Sequence, residues 1–501
     1  MGLTPQPAVR SEQTEKRSPL LVVMLGLLFI GWIGEWPLDF DGVSYMGLWR
    51  SPLVVFAPFL APVPGMGLSP WQILLIALSP FCLGSPGTVR QHAREMDRAI
   101  LISLGCLAVT FLWGTARGGT PHFAYYQVWR LLAALLIGYM LMSLLHTQRD
   151  LAILGKVVVF AALIRATVCI YYFWTHLYGK VYPLPPWVTN HDDSMLFVVG
   201  ILIVSLWTFL KGGRATWTVA APVVLVLLLA MALNNRRIAW VELASALLLI
   251  YALLGPGPLR SRINRWLMIA APLLLVYIAV GSGSDSALFA PVHALTTTGS
   301  NYDPSSLARK EEVRNLLRTL DQGNPLLGTG WGVPYDKVES FYANYDARWA
   351  LYLYTPHNSI LGLAAFSGLV GVIGIWGVVP TAAYLAARGY RGSIDPVQRT
   401  AGMVALCSLA VFSAHCYGDL GLQSFQGVLV LGAALATAGK VAAWSAALPA
   451  AQAVPARAGG RRRAPETQPA YRQTPVGGAR SDSLPPRSGP SGRPSTRRLS
   501  R

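Results

Sequence analysis

Leu151–Trp174 reads LAILGKVVVFAALIRATVCIYYFW. It is longer than the ~20 residues that an α-helix needs to cross a bilayer. Similar runs recur outward from it. Towards the N-terminus lie Leu20–Gly34, Ala99–Gly114 and Trp129–Leu145. Towards the C-terminus lie Met195–Leu210, Trp217–Leu233, Ile238–Leu254, Trp266–Val280, Ile360–Ala387, Ala401–His415 and Phe425–Trp444. Ser51–Leu83 is also apolar, but prolines and glycines at Pro58, Pro62, Pro64, Gly65 and Pro70 break it. Of the 501 residues, 53% are hydrophobic and 13% charged, whereas a soluble domain carries about 25% charge. The pattern is that of an all-α, polytopic membrane protein. A β-barrel would show alternating segments of about ten residues, and none occurs. The five cysteines, Cys82, Cys106, Cys169, Cys407 and Cys416, all lie in or beside apolar runs, so no disulfide framework is implied.

Charge orders these runs across the membrane. Lys and Arg favour the cytoplasmic side of short loops. The connectors Arg90–Arg98, Lys211–Arg214, Pro258–Arg265 and Arg388–Arg399 are therefore expected inside, as is the N-terminus with Arg10, Lys16 and Arg17. The polar stretch Ser282–Pro356 then lies outside, with nine crossings before it and three after, about twelve helices in all. The expected organisation is a membrane body over 1–281 and a large outer loop with short helices over 282–357. A second membrane part follows over 358–446, then a basic tail over 447–501. Beyond Pro455, eleven arginines less Glu466 and Asp482 leave +9 of the chain's net +18. This Pro-, Gly- and Ser-rich tail is expected to be disordered and cytoplasmic, near anionic lipid headgroups. The charge is accordingly no sign of nucleic-acid binding.

Several polar residues stand where the membrane makes them costly. Arg165 sits inside Leu151–Trp174 with no acid in its own helix, so its partner must come from another helix or a ligand. Asn234-Asn235-Arg236-Arg237 joins two helices outside, against the charge rule. The pair reads either as snorkelling side chains or as an anion site, since the guanidinium fork matches phosphate. In the loop, Asp303-Pro304 predicts a helix start. Val313, Leu316, Leu317 and Leu320 follow at helical spacing, with Arg309, Lys310, Arg314 and Arg318 on another face. Spacing alone describes a solvated amphipathic helix. Asn324-Pro325-Leu326-Leu327-Gly328-Thr329-Gly330-Trp331-Gly332 is a Gly-rich turn that follows no strand, so it is a poor nucleotide fingerprint. Asn190-His191-Asp192-Asp193 comes nearest to metal-ligand spacing without reaching it. His357-Asn358 closes the loop where a helix begins. There a titratable imidazole suits proton transfer and Asn358 suits an N-cap.

In this order the motifs resemble the O-antigen ligase and polymerase superfamily, bacterial inner-membrane enzymes that handle lipid-linked polysaccharide. The likeness rests on an Arg-led helix, then Asn-Pro-Leu-x-Gly-x-Gly-x-Gly, then His-Asn opening a helix with Gly368 and Gly371. Asn235-Arg236-Arg237-Ile238-Ala239-Trp240 is similar to the family's arginine motif, with Arg237 aligned and Arg236 where a small or hydroxyl residue usually stands. Asn190-His191 is similar to a looser motif. The resemblance implies a periplasmic loop and transfer of a glycan from undecaprenyl pyrophosphate to an acceptor hydroxyl. The acceptor is lipid A-core or another lipid-linked glycan, and no metal or cofactor is involved. It implies catalytic work for His357, Arg309 and Arg237. Pyrophosphate contacts are expected from Arg165, Arg236, Arg237, Arg309 and Arg314, with support from Asn358, Asn190, His191, Gly328 and Gly330. The alternative is a multi-pass transporter or flippase of lipid-linked sugars, but no internal repeat of the kind common in transporters is visible.

Overall fold

The computed structural model describes residues 18–34, 60–63, 66–83, 93–181, 188–211, 214–284, 289, 292, 304–336 and 353–447. The helix start expected at Asp303, the remainder of the outer loop and the basic tail lie outside the described residues.

Of Ser51–Leu83, only the part from Pro70 is helical among the described residues. The unbroken apolar runs read from the sequence fall on helices, with Ile360–Ala387 divided between two. In chain order these are α1 (Pro19–Gly34), α2 (Pro70–Leu83), α3 (Arg94–Ala116), α4 (Pro121–Leu144), α5 (Gln148–Tyr172), α6 (His191–Lys211), α7 (Arg214–Asn234), α8 (Arg237–Leu253) and α9 (Pro258–Gly281). A helix of the outer loop, α10 (Pro304–Gln322), comes next. Then follow α11 (Ser359–Val370), α12 (Val378–Gly392), α13 (Pro396–Gly418) and α14 (Phe425–Ala447). Among the described residues, nine helical segments are long and apolar enough to span a bilayer, and α1 and α2 are shorter apolar helices. The prolines before α2 leave room for one short antiparallel hairpin, Leu60–Val63 with Met66–Leu68.

The bundle is centred on α14, which packs against α4, α12 and α13; α13 in turn packs against α6 and α8. Small residues permit the close approach. Gly432 of α14 lies against Ile137 and Ala134 of α4, so a side chain there would meet both. Helix directions alternate, and two sets of contacts fix the ends. At one end the start of α6 meets the end of α13, and the turn after α3 meets the outer-loop segment 328–332. At the far end Glu95 of α3 pairs with Arg388 of α12 at 3.0 Å.

Candidate functional site

The first of these ends gathers the charged residues. α10 turns a face inward that spacing alone did not predict. Glu312, Asn315, Leu316 and Thr319 are buried, whereas Leu317 is 50% exposed. The helix is amphipathic, but its hidden strip is mostly polar, with Glu312, Asn315 and Thr319 beside Leu316, and it meets polar groups beneath it. Glu312 accepts from the Asn358 backbone N at 3.2 Å and faces His357 Nδ1 at 2.9 Å. With a carboxylate as partner, Nδ1 carries the proton, so acid–base chemistry at this ring falls to Nε2. Burial alone would lower the His357 pKa, but the Glu312 carboxylate overrides it and holds the imidazole above its usual value. Asn358 caps α11, its side-chain oxygen accepting from Leu361 N at 3.0 Å.

Asp419, after the last residue of α13, is the hub of the cluster. It pairs with His191 Nδ1, and Arg309 Nη2 stands 4.0 Å from the same oxygen. Burial opposes its charge, yet His191, His415 and His357 together hold its carboxyl well below the ordinary range. Arg236 lies within electrostatic reach of Asp419 and Arg309 and donates to Thr189 O at 3.4 Å; burial pulls its guanidinium down to about 10. The four segments carrying His191, Arg236, Arg309 and His357 thus converge. Arg237, the arginine aligned by resemblance, opens α8 partly exposed, and Arg314 is exposed on α10. Arg236, the other arginine of the adjacent pair, has Asp419 among the charges that act on it.

The first turn of α6 anchors this cluster to the bundle. His191 holds Asp419, and Asp192 lies 3.4 Å from His415 Nε2. Asp193 takes Arg165 in a bidentate pair at 2.7 and 2.6 Å and accepts from Gln426 at 3.1 Å. The partner that Arg165 required is therefore supplied by another helix. His415, fully buried, also faces Glu242 at 2.6 Å. Asn190 is turned by its own N-terminal role, its Oδ1 accepting from His191 N at 2.7 Å. Asn234 crosses the gap above: it accepts from Thr189 N at 2.7 Å and donates to Asn190 O at 3.2 Å. The left-handed Asn235 (φ 48°) then turns the chain into Arg236.

The Gly-rich segment is a structural clamp. Gly368, at φ 56° and ψ −154°, breaks α11 and strands backbone groups on either side. The segment supplies the partners. Thr329 N and Gly330 N donate to Ala365 O and Phe366 O at 2.9 Å, and Leu369 N and Val370 N donate to Pro325 O and Leu326 O at 3.0 Å. Gly328 and Gly330 have φ of 64° and 92°, and a Cβ at Gly330 would collide with the Gly114 backbone. The support expected from both glycines is thus by backbone fit.

Glu312, Asp419, His415 and Glu242 were not singled out by sequence reasoning. Asp419 had a faint signal, as the lone charge of its connector; Glu312 had none, since Glu311 stands beside it in the sequence.

No curated protein matches the chain. Residues 222–376 match a family model described as O-antigen ligase, a span that takes in Arg236, Arg237, α10, the clamp and His357. The match supports a ligase- or polymerase-type role in polysaccharide assembly. Both the motifs and this match point the same way: residues 222–376 are similar to the O-antigen ligase family.

Proposed function

We propose that the protein transfers a glycan from undecaprenyl pyrophosphate to an acceptor hydroxyl at the outer face of the inner membrane. The reading is carried by the convergence of Arg236, Arg309 and His357 about Asp419 at one end of the bundle. The bond broken joins the reducing-end sugar carbon to the phosphate oxygen. The bond formed joins that carbon to the acceptor oxygen. The electron pair leaves on undecaprenyl pyrophosphate, where Arg236, Arg237, Arg309 and Arg314 stabilise it, doing what a metal ion does in other transferases. The acceptor proton passes to His357 Nε2, with Glu312 holding the ring. Arg165, neutralised by Asp193, keeps α6 in place. The connectors rich in arginine lie at the far end, which supports a periplasmic site and a cytoplasmic tail.

The test is transfer by purified protein given undecaprenyl-pyrophosphate glycan, with or without lipid A-core, in chelator. Product on lipid A-core identifies a ligase, and a ladder from donor alone identifies a polymerase. His357→Ala, folded and donor-binding, should lose about 10²- to 10⁴-fold of the rate. Near-wild-type transfer by that variant would remove the base assignment. Donor binding without either product would favour transport.

A further inference from the structure

A cavity of ≈ 660 Å³ opens among α1, α5, α6, α7, α13 and α14. None of Arg236, Arg309 and His357 lines it. Its volume falls within the ~300–1,000 Å³ usual for ligand sites. Its wall is mostly aliphatic, with some aromatic rings and hydroxyl side chains, and no acidic residue lines it.

Its two charged residues are both lysines. Lys156, two turns into α5, and Lys211 at the end of α6 are both exposed, and both line the cavity. Lys211 is held over the Trp207 ring at 5.0 Å to the centroid, so its ammonium stays by the rim. Along α6 the wall runs from Lys211 to Val199, about 18 Å at 1.5 Å per residue. That is close to half of the ~30 Å hydrocarbon core. The cavity therefore has the depth of one leaflet, an apolar interior, and cations where that leaflet's headgroups lie. Lysines beside anionic headgroups are attracted to them, and an interfacial Trp suits the same level.

We propose that this cavity is a binding site for an anionic phospholipid, with one acyl chain inside and its phosphate at Lys156 and Lys211. Its lysines lie towards the opposite helix ends from the charged cluster, and none of Arg236, Arg309 and His357 lines it, so the proposal stands whether or not the transfer reading holds. Such a lipid fills the space between α5 and α13, helices whose other ends carry Arg165 and His415.

Native mass spectrometry of the purified full chain, titrated with phosphatidylglycerol or phosphatidylcholine of identical chains, tests this. The wild type should retain one phosphatidylglycerol in preference to phosphatidylcholine. Lys156→Gln with Lys211→Gln should weaken that retention roughly thirtyfold, from about a fivefold loss per lysine at a membrane surface. Ala401→Trp, which fills the wall, should abolish it, with the melting temperature showing that the variant is folded. Equal retention of both lipids, or unchanged retention in the double lysine variant, would overturn the proposal. Displacement by equimolar undecaprenyl phosphate would overturn it too, and would give the cavity to a polyprenyl chain.

Discussion

Glu312 decides what His357 can do. A carboxylate on Nδ1 fixes the ring's tautomer and raises its pKa, so a base at Nε2 becomes competent only as pH climbs through that raised value. Rate should therefore rise with pH along a limb lying above the ordinary imidazole value. In Glu312→Gln the carboxylate is lost, the pKa falls and the limb should move to lower pH, together with a lower maximal rate; a pH–rate profile of both proteins reads it. A limb that stays in place would separate His357 from the acid branch. The same pair adds stability below the unfolded His pKa, and that stability fades as pH rises through the folded value. Arg165 and Asp193 are coupled in another way. Removing one partner leaves a buried charge, so Arg165→Met should cost about 3–5 kcal/mol, whereas Arg165→Met with Asp193→Leu should recover much of it. Thermal melting of the two variants in detergent checks this, and equal losses would mean the pair is not the source of the cost.

At the scale of elements, α11 and the clamp form one unit although about 40 residues separate them in sequence. Gly330→Ala meets both a left-handed φ and the Gly114 backbone, so strain and collision add. The expected loss is about 2–4 kcal/mol, with new proteolytic cleavage near 323–336. A variant that melts and resists protease like the wild type would show that the contact yields easily. The position of most helices was legible in the chain because hydrocarbon selects apolar residues over a fixed length, but the break between α11 and α12 inside Ile360–Ala387 was not. The capping by Asn358 was legible because the cap is local. The inward face of α10 was not. In Arg309-Lys310-Glu311-Glu312 nothing local distinguishes the carboxylate that faces water from the one that meets His357, 45 residues on. The pairing of Arg165 with Asp193 was half legible: the cost of a lone guanidinium demanded a partner, and only packing chose it.

For the whole molecule, the alternation of helices assigns sides. The turn after α3 and the outer-loop clamp share one end, and the α12–α13 connector with exposed Ile394 shares the other. Arg117→Cys should react with a membrane-impermeant maleimide added to intact spheroplasts, and Ile394→Cys only after permeabilisation. The native cysteines, four of them buried, give a low background. Reversed labelling would invert the topology and place the His357 cluster at the cytoplasmic face. The neighbours of each helix were not readable in the chain, because any two apolar faces look alike until small residues and buried charges choose between them.

The break at Gly368 also has a mechanical meaning. Four backbone groups there rely on 325–330, and prising that segment away would strand them all within an apolar wall. Whatever the outer loop does when a bulky sugar chain arrives, this point behaves as a rivet. Rearrangement must pivot on the stretches to either side of it, and a cross-link at the rivet should leave turnover untouched while one placed beyond it should stall the cycle.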